Sequence, residues 1–153
     1  MIDTECHVLL AVRDFSEDPA VISELLNLEP TNTWKAGDPR WGSASRTHRY
    51  SGWSFHSPLA PAKSPSEHLE ALLPILETRL EEIRACAARF VTRIHCCAAH
   101  NHHLPPPVII SAAHLRRIAA LEIGLLLDSS YHSIEPTADS PNCEVESAVV
   151  HAG

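Results

Sequence analysis

The sequence predicts an α+β fold, a two-layer sandwich with a mainly antiparallel sheet and its helices on one face. Three observations carry this expectation. Residues 64–88 hold an apolar stripe at helical spacing (Leu69, Leu72, Leu73, Leu76, Leu80 and Ile83), which must be covered by another layer. Short segments of strand character lie on both sides of that stripe. Helical segments separated by strand pairs give the order β-α-β-β-α-β-β-α-β, with a ferredoxin-like rhythm in its first part.

Residues 6–13 open the chain as a strand. Val8, Leu10 and Val12 occupy one face and Leu9 and Ala11 the other, so the strand belongs in the middle of the sheet. Asp18-Pro19 starts a short helix, and Leu28-Glu29-Pro30 ends it, because the residue before a proline leaves the helical region. Residues 31–56 read as a hairpin or strand pair with a turn at Gly37-Asp38-Pro39. Within it, residues 41–51 are polar and aperiodic and read as a mobile loop, whereas Trp53 and Phe55 share one side of a strand.

The long helix begins at Ser64-Pro65-Ser66-Glu67, a capping box with proline at the first helical position. Pro74 is expected to kink it near residue 70 without dividing it. Residues 89–97 alternate as a strand, with Phe90, Ile94 and Cys96 on one face and Arg93, His95 and Cys97 on the other. A connection rich in histidine and proline follows over 98–107. The prolines before Val108, Ile109 and Ile110 assign that short strand to a sheet edge. Ser111 caps a third helix with Leu115, Ile118 and Ala119 inward, and residues 123–131 form the last strand.

One domain over 1–133 accounts for this order. Residues 134–153 carry Glu135, Asp139, Glu144 and Glu146 but no lysine or arginine, and are expected to be a weakly ordered acidic tail. The net charge of −7 weighs against duplex nucleic acid and anionic membrane surfaces as partners. No run approaches the roughly 20 apolar residues of a membrane span, and the first residues lack the features of a signal peptide. The expected location is cytoplasmic, with all five cysteines reduced and no disulfide framework.

The opening strand, Asp18-Pro19, Leu28-Glu29-Pro30-Thr31 leading into Trp34-Lys35-Ala36-Gly37-Asp38, Gly52-Trp53-Ser54, the leucine-striped helix and the final strand with Asp128 together resemble the bacterial domain-of-unknown-function family 4279. The resemblance covers about residues 5–132. It implies a small bacterial α+β domain, and it supplies no reaction and no catalytic residues.

Four clusters carry chemistry. Trp34, Lys35, Asp38 and Trp53 could line a groove for a ligand or peptide, or the two tryptophans could pair across strands as core. Arg40, Trp41, Arg46, His48, Arg49 and Tyr50 interleave cations with aromatic rings, as a single-strand nucleic acid clamp or a surface for an acidic protein would. His95, Cys96, Cys97, His100, His102 and His103 are ligand types that zinc, nickel or copper accepts, but strand alternation points Cys96 away from His95 and Cys97 and no zinc spacing fits, so no cofactor is expected, with zinc as the alternative. Asp128, Tyr131 and His132 at the last strand's end could do acid–base work or simply face solvent.

No phosphate loop, dinucleotide fingerprint, nucleophile elbow or H-E-x-x-H occurs. The leading expectation is a non-enzymatic protein-interaction module of immunity or regulatory-adaptor type. It would bind a protein partner or a second copy through residues 34–53 or a sheet edge. The alternative is a small-ligand or metal-binding protein or enzyme using the histidines of 95–103.

Overall fold

The first strand, β1 (Thr4–Phe15), is apolar on both faces and stands at the centre of the sheet. The computed structural model describes residues 4–100 and 108–131. Around β1 the chain runs α1 (Ala20–Leu26), β2 (Asn32–Trp34), β3 (Ser51–His56), α2 (Pro65–Glu77), α3 (Leu80–Arg89), β4 (Val91–His100), α4 (Ala112–Ala120) and β5 (Gly124–Tyr131). The five strands lie in the order β2-β3-β1-β4-β5. Antiparallel ladders join β1 to β3 and to β4, and β2 to β3, whereas β5 runs parallel to β4. The sheet is therefore mixed, and α4 lies in the crossover that a parallel pair requires.

One face of the sheet carries the helices. Cys6, Val8, Leu10 and Val12 of β1, Trp53 of β3, and Ile94 and Cys96 of β4 form one buried cluster with Ile22, Leu26, Ile83, Ile118 and the Leu69, Leu72, Leu73 and Leu76 stripe. Trp53 is fully buried, and its Nε1 donates to Ser23 Oγ of α1 at 3.0 Å, which satisfies the indole N–H in the core.

Several expectations are corrected. The long helix is two helices. Pro74 stays within α2, and the break falls at Thr78 and Arg79, where Thr78 Oγ1 donates back to Ile75 O at 2.6 Å and Arg79 leaves helical geometry. The capping box is present as read: Ser64 Oγ accepts from the Glu67 N–H and Glu67 Oε2 from the Ser64 N–H. Residues 108–110 are not a strand. Val108 and Ile110 pack on the core as a covering segment, and Ile109 faces outward. The two edge positions belong to β2 and β5.

The expected loop at 41–51 is tied into a small hairpin. Gly37 N–H donates to His48 O, His48 N–H to Asp38 O and Arg40 N–H to Arg46 O, each within 2.8–2.9 Å. Pro39 and Thr47 form a bridge between its arms, and Gly42 near its tip has φ +74°, which suits glycine. Cys97 is disulfide-bonded, whereas Cys6, Cys86 and Cys96 are free thiols. The expectation of five reduced cysteines fails at Cys97, because spacing along the chain does not report which sulfurs meet in space. Among the described residues no helix is long and apolar enough to cross a membrane. The acidic tail lies outside the described residues.

Candidate ligand cleft on the helix-free face

The second face of the sheet carries no helix among the described residues, and strand alternation decides what lies on it. Leu9 stands opposite His56, Ala11 opposite Ser54, Asn32 opposite Ser54 and Trp34 opposite Gly52. Leu9, Arg13, Ser54, His56, Asn32 and Trp34 thus share this face. The hairpin formed by residues 37–48 folds over it, and the two enclose a cleft of about 220 Å³. Its lining is Leu9, Arg13, Asn32, Thr33, Trp34, Asp38, Pro39, Trp41, His48, Ser54 and His56.

Trp34 is the fixed wall. A Cβ placed on Gly52 would come within 2.1 Å of Trp34 Cζ2, so the indole lies against the β3 backbone in space that only glycine leaves. The His48 ring stacks on the indole at 4.9 Å and 26°. The Arg13 guanidinium carbon sits 4.5 Å from the indole centroid, and Arg13 Nη1 donates to Trp53 O at 3.1 Å. Arg13 directly precedes Asp14, which has φ +60° where the β1–β3 register shifts, so the end of β1 is bent beside the cleft.

His56 closes one side. Its backbone N–H donates to Thr31 Oγ1 at 2.9 Å, and its ring Nε2 lies 3.3 Å from Ser54 Oγ. Burial, then the nearby His7 and Arg13, hold its pKa below the ordinary histidine value. Asp38 is committed to the turn, its Oδ2 accepting from the Lys35 N–H at 2.7 Å. Beyond the cleft, burial drives His95 down to about 4, with the charges of Arg13 and Arg93 adding to the effect and Asp128 opposing it. Its Nε2 is buried and has no hydrogen-bond partner among the described residues.

The structure divides the predicted clusters. Trp34, Asp38, Trp41 and His48 line the cleft. Trp53 does not pair with Trp34: it faces Thr33 and points to the helical core on the opposite side of the sheet. Lys35 pairs with Asp18 at 2.6 Å on the surface, and the Arg49 guanidinium lies 5.3 Å over Tyr50, outside the lining. Arg40 is half-buried in the hairpin. His95 and Cys97 fall on the helix-free face, whereas His100 falls on the other and meets Thr4 Oγ1 at 3.1 Å. Among the described residues no group of three or more His, Cys, Asp or Glu side chains is placed to hold a metal ion. His102 and His103 lie outside the described residues, as does His132, while Asp128 is half-buried on β5.

Sequence reasoning missed Arg13, Leu9, Asn32, Ser54 and His56. Only the strand register brings them together, and the one local hint was a cation closing an otherwise apolar strand.

A family model, Domain of unknown function (DUF4279), matches residues 4–132. No curated protein and no solved structure matches the chain.

Proposed function

We propose, from the premise that this chain belongs to the DUF4279 family, that it is a non-enzymatic binding module of the regulatory-adaptor kind whose recognition site is the cleft on the helix-free face. The observation that supports this reading is convergence. Arg13 from β1, Trp34 from β2, His56 from β3 and Trp41 and His48 from the hairpin meet around one hollow. Aromatic walls with a few fixed polar groups are the general composition of binding sites. Trp41 is 72% exposed, and a large apolar ring left uncovered at the rim of a polar hollow is a contact surface in waiting.

The test is native mass spectrometry of untagged protein from its own host, beside a Trp41→Ala/His48→Ala variant. A bound small mass or a second chain on the wild type that the variant loses is the expected result. A partner retained in full by the variant would sink this placement. An Arg49→Ala variant separates two forms of the reading. Loss there too means a broad protein surface spread over the hairpin, and retention means an occupant confined to the cleft.

A further inference from the structure

We infer that the occupant of the helix-free face is the chain's own acidic C-terminal segment, residues 134–153, anchored by a Cys97–Cys143 disulfide with its carboxylates toward Arg13, Arg40 and His48. The inference rests on the reading of the cleft as a binding site and adds how that site is regulated: a partner must displace the segment.

The anchor follows from the sulfurs. The chain has five cysteines. Cys97 is disulfide-bonded and Cys6, Cys86 and Cys96 are free thiols, which leaves Cys143 to close the bond. Cys97 stands opposite His7 of β1 and beside Asp128 of β5, on the face without helices. Reach is ample on both sides of this bond. Tyr131 ends β5 three residues past Asp128, a return of about 10 Å, whereas the roughly 12 residues from there to Cys143 can span about 40 Å. Leu9 of the cleft lies one strand over from Cys97 and two residues along, about 8 Å away, so Glu144 and Glu146 follow the anchor at the edge of the hollow.

Charge complementarity selects the same segment. Residues 134–153 carry Glu135, Asp139, Glu144 and Glu146 and no lysine or arginine. The cleft and the hairpin over it carry Arg13, His48 and Arg40. Each of these three, like Cys97, makes a further interaction beyond the contacts above, and all four lie on one side of the sheet. An acidic strand of chain that crosses from Cys97 toward the hairpin meets them in turn. Arg13 has five N–H donors in a planar fork, so it can keep its bond to Trp53 O and still pair with a carboxylate. Exposed ion pairs are individually weak, and the covalent anchor makes them effective by holding the acids at high local concentration.

Two measurements on the full chain test this. Peptide mapping without reductant should recover the fragments holding Cys97 and Cys143 as one linked species; Cys97 recovered as a free thiol, or bonded elsewhere, would overturn the anchor. Hydrogen exchange read by mass spectrometry reports the occupancy. In Glu144→Gln/Glu146→Gln the backbone amides of residues 37–48 should exchange at least about threefold faster than in the wild type, the scale of one or two exposed ion pairs, while those of α2 stay unchanged. A synthetic peptide of residues 139–150 carrying Cys143→Ser, added to the Cys143→Ser/Glu144→Gln/Glu146→Gln chain, should restore the slower exchange of the hairpin. Hairpin exchange equal in wild type and variants, no effect of the peptide, or a quickening spread equally over α2 would overturn the inference. The recognition reading would then stand or fall by the partner test on Trp41→Ala/His48→Ala, in which the segment is intact. A partner retained in full in that test, with the hairpin still slowed by the segment, would sink the recognition site and uphold the segment as its cover.

Discussion

Gly52 shows how much of the site hangs on one missing methyl group. Gly52→Ala puts a carbon where the Trp34 indole lies, and neither a rigid ring nor a strand backbone can yield by the ångström needed. The indole must leave, and Arg13 and His48 lose the ring they stack on. We expect a loss of roughly 1–3 kcal/mol, read by thermal unfolding with tryptophan fluorescence. The double variant Gly52→Ala/Trp34→Ala should be less destabilised than the sum of the singles, because the clash is shared. A second residue-scale expectation concerns acid. His95 is held neutral at about 4, below its ordinary value, so between those two pH values the unfolded chain binds a proton that the folded one refuses. Its contribution is whole above about pH 6.5 and fades as pH falls toward 4. The buried His68 and the half-buried His56 are displaced in the same direction. Denaturant midpoints from pH 7 to pH 5 should fall, and a His95→Gln variant should fall less; parallel slopes would assign the sensitivity elsewhere.

At the scale of elements, what was legible in the sequence is what is local. The capping box of α2 needs only residues 64–67, and it is present; Ser64→Ala should cost about 1 kcal/mol in a urea titration. The two-faced apolar pattern of β1 gave its central place. The helix break was misplaced because Pro74 is the louder signal, whereas the actual break depends on a threonine hydroxyl turning back to a carbonyl. The 37–48 hairpin was invisible because backbone bonds hold it, and these leave no alternation in the side chains. Glu70 and Glu77 fasten α4 to α2 through His114 and Arg117. Nothing local announces a pairing whose members lie more than a helix apart. The same holds for the cleft: its aromatic residues stand out in the sequence, but Arg13, Ser54 and His56 reach it only through register.

The whole molecule is a sheet with two differently furnished sides, one sealed by leucines and the other dressed with arginine, histidine and tryptophan. Its central strand also imposes an order in time. β1 leaves the ribosome before both strands that flank it, and its ladder to β4 waits on most of the domain. Until then a segment apolar on both sides, with both edges unsatisfied, is exposed to its neighbours. A chain stopped at residue 88 keeps β3 but lacks β4, and we expect it to collect in the insoluble fraction where the full chain does not. The centre of the finished sheet is thus its most vulnerable part during birth, and the interval between making β1 and making β4 is where a cell would need to hold the chain apart from its own copies.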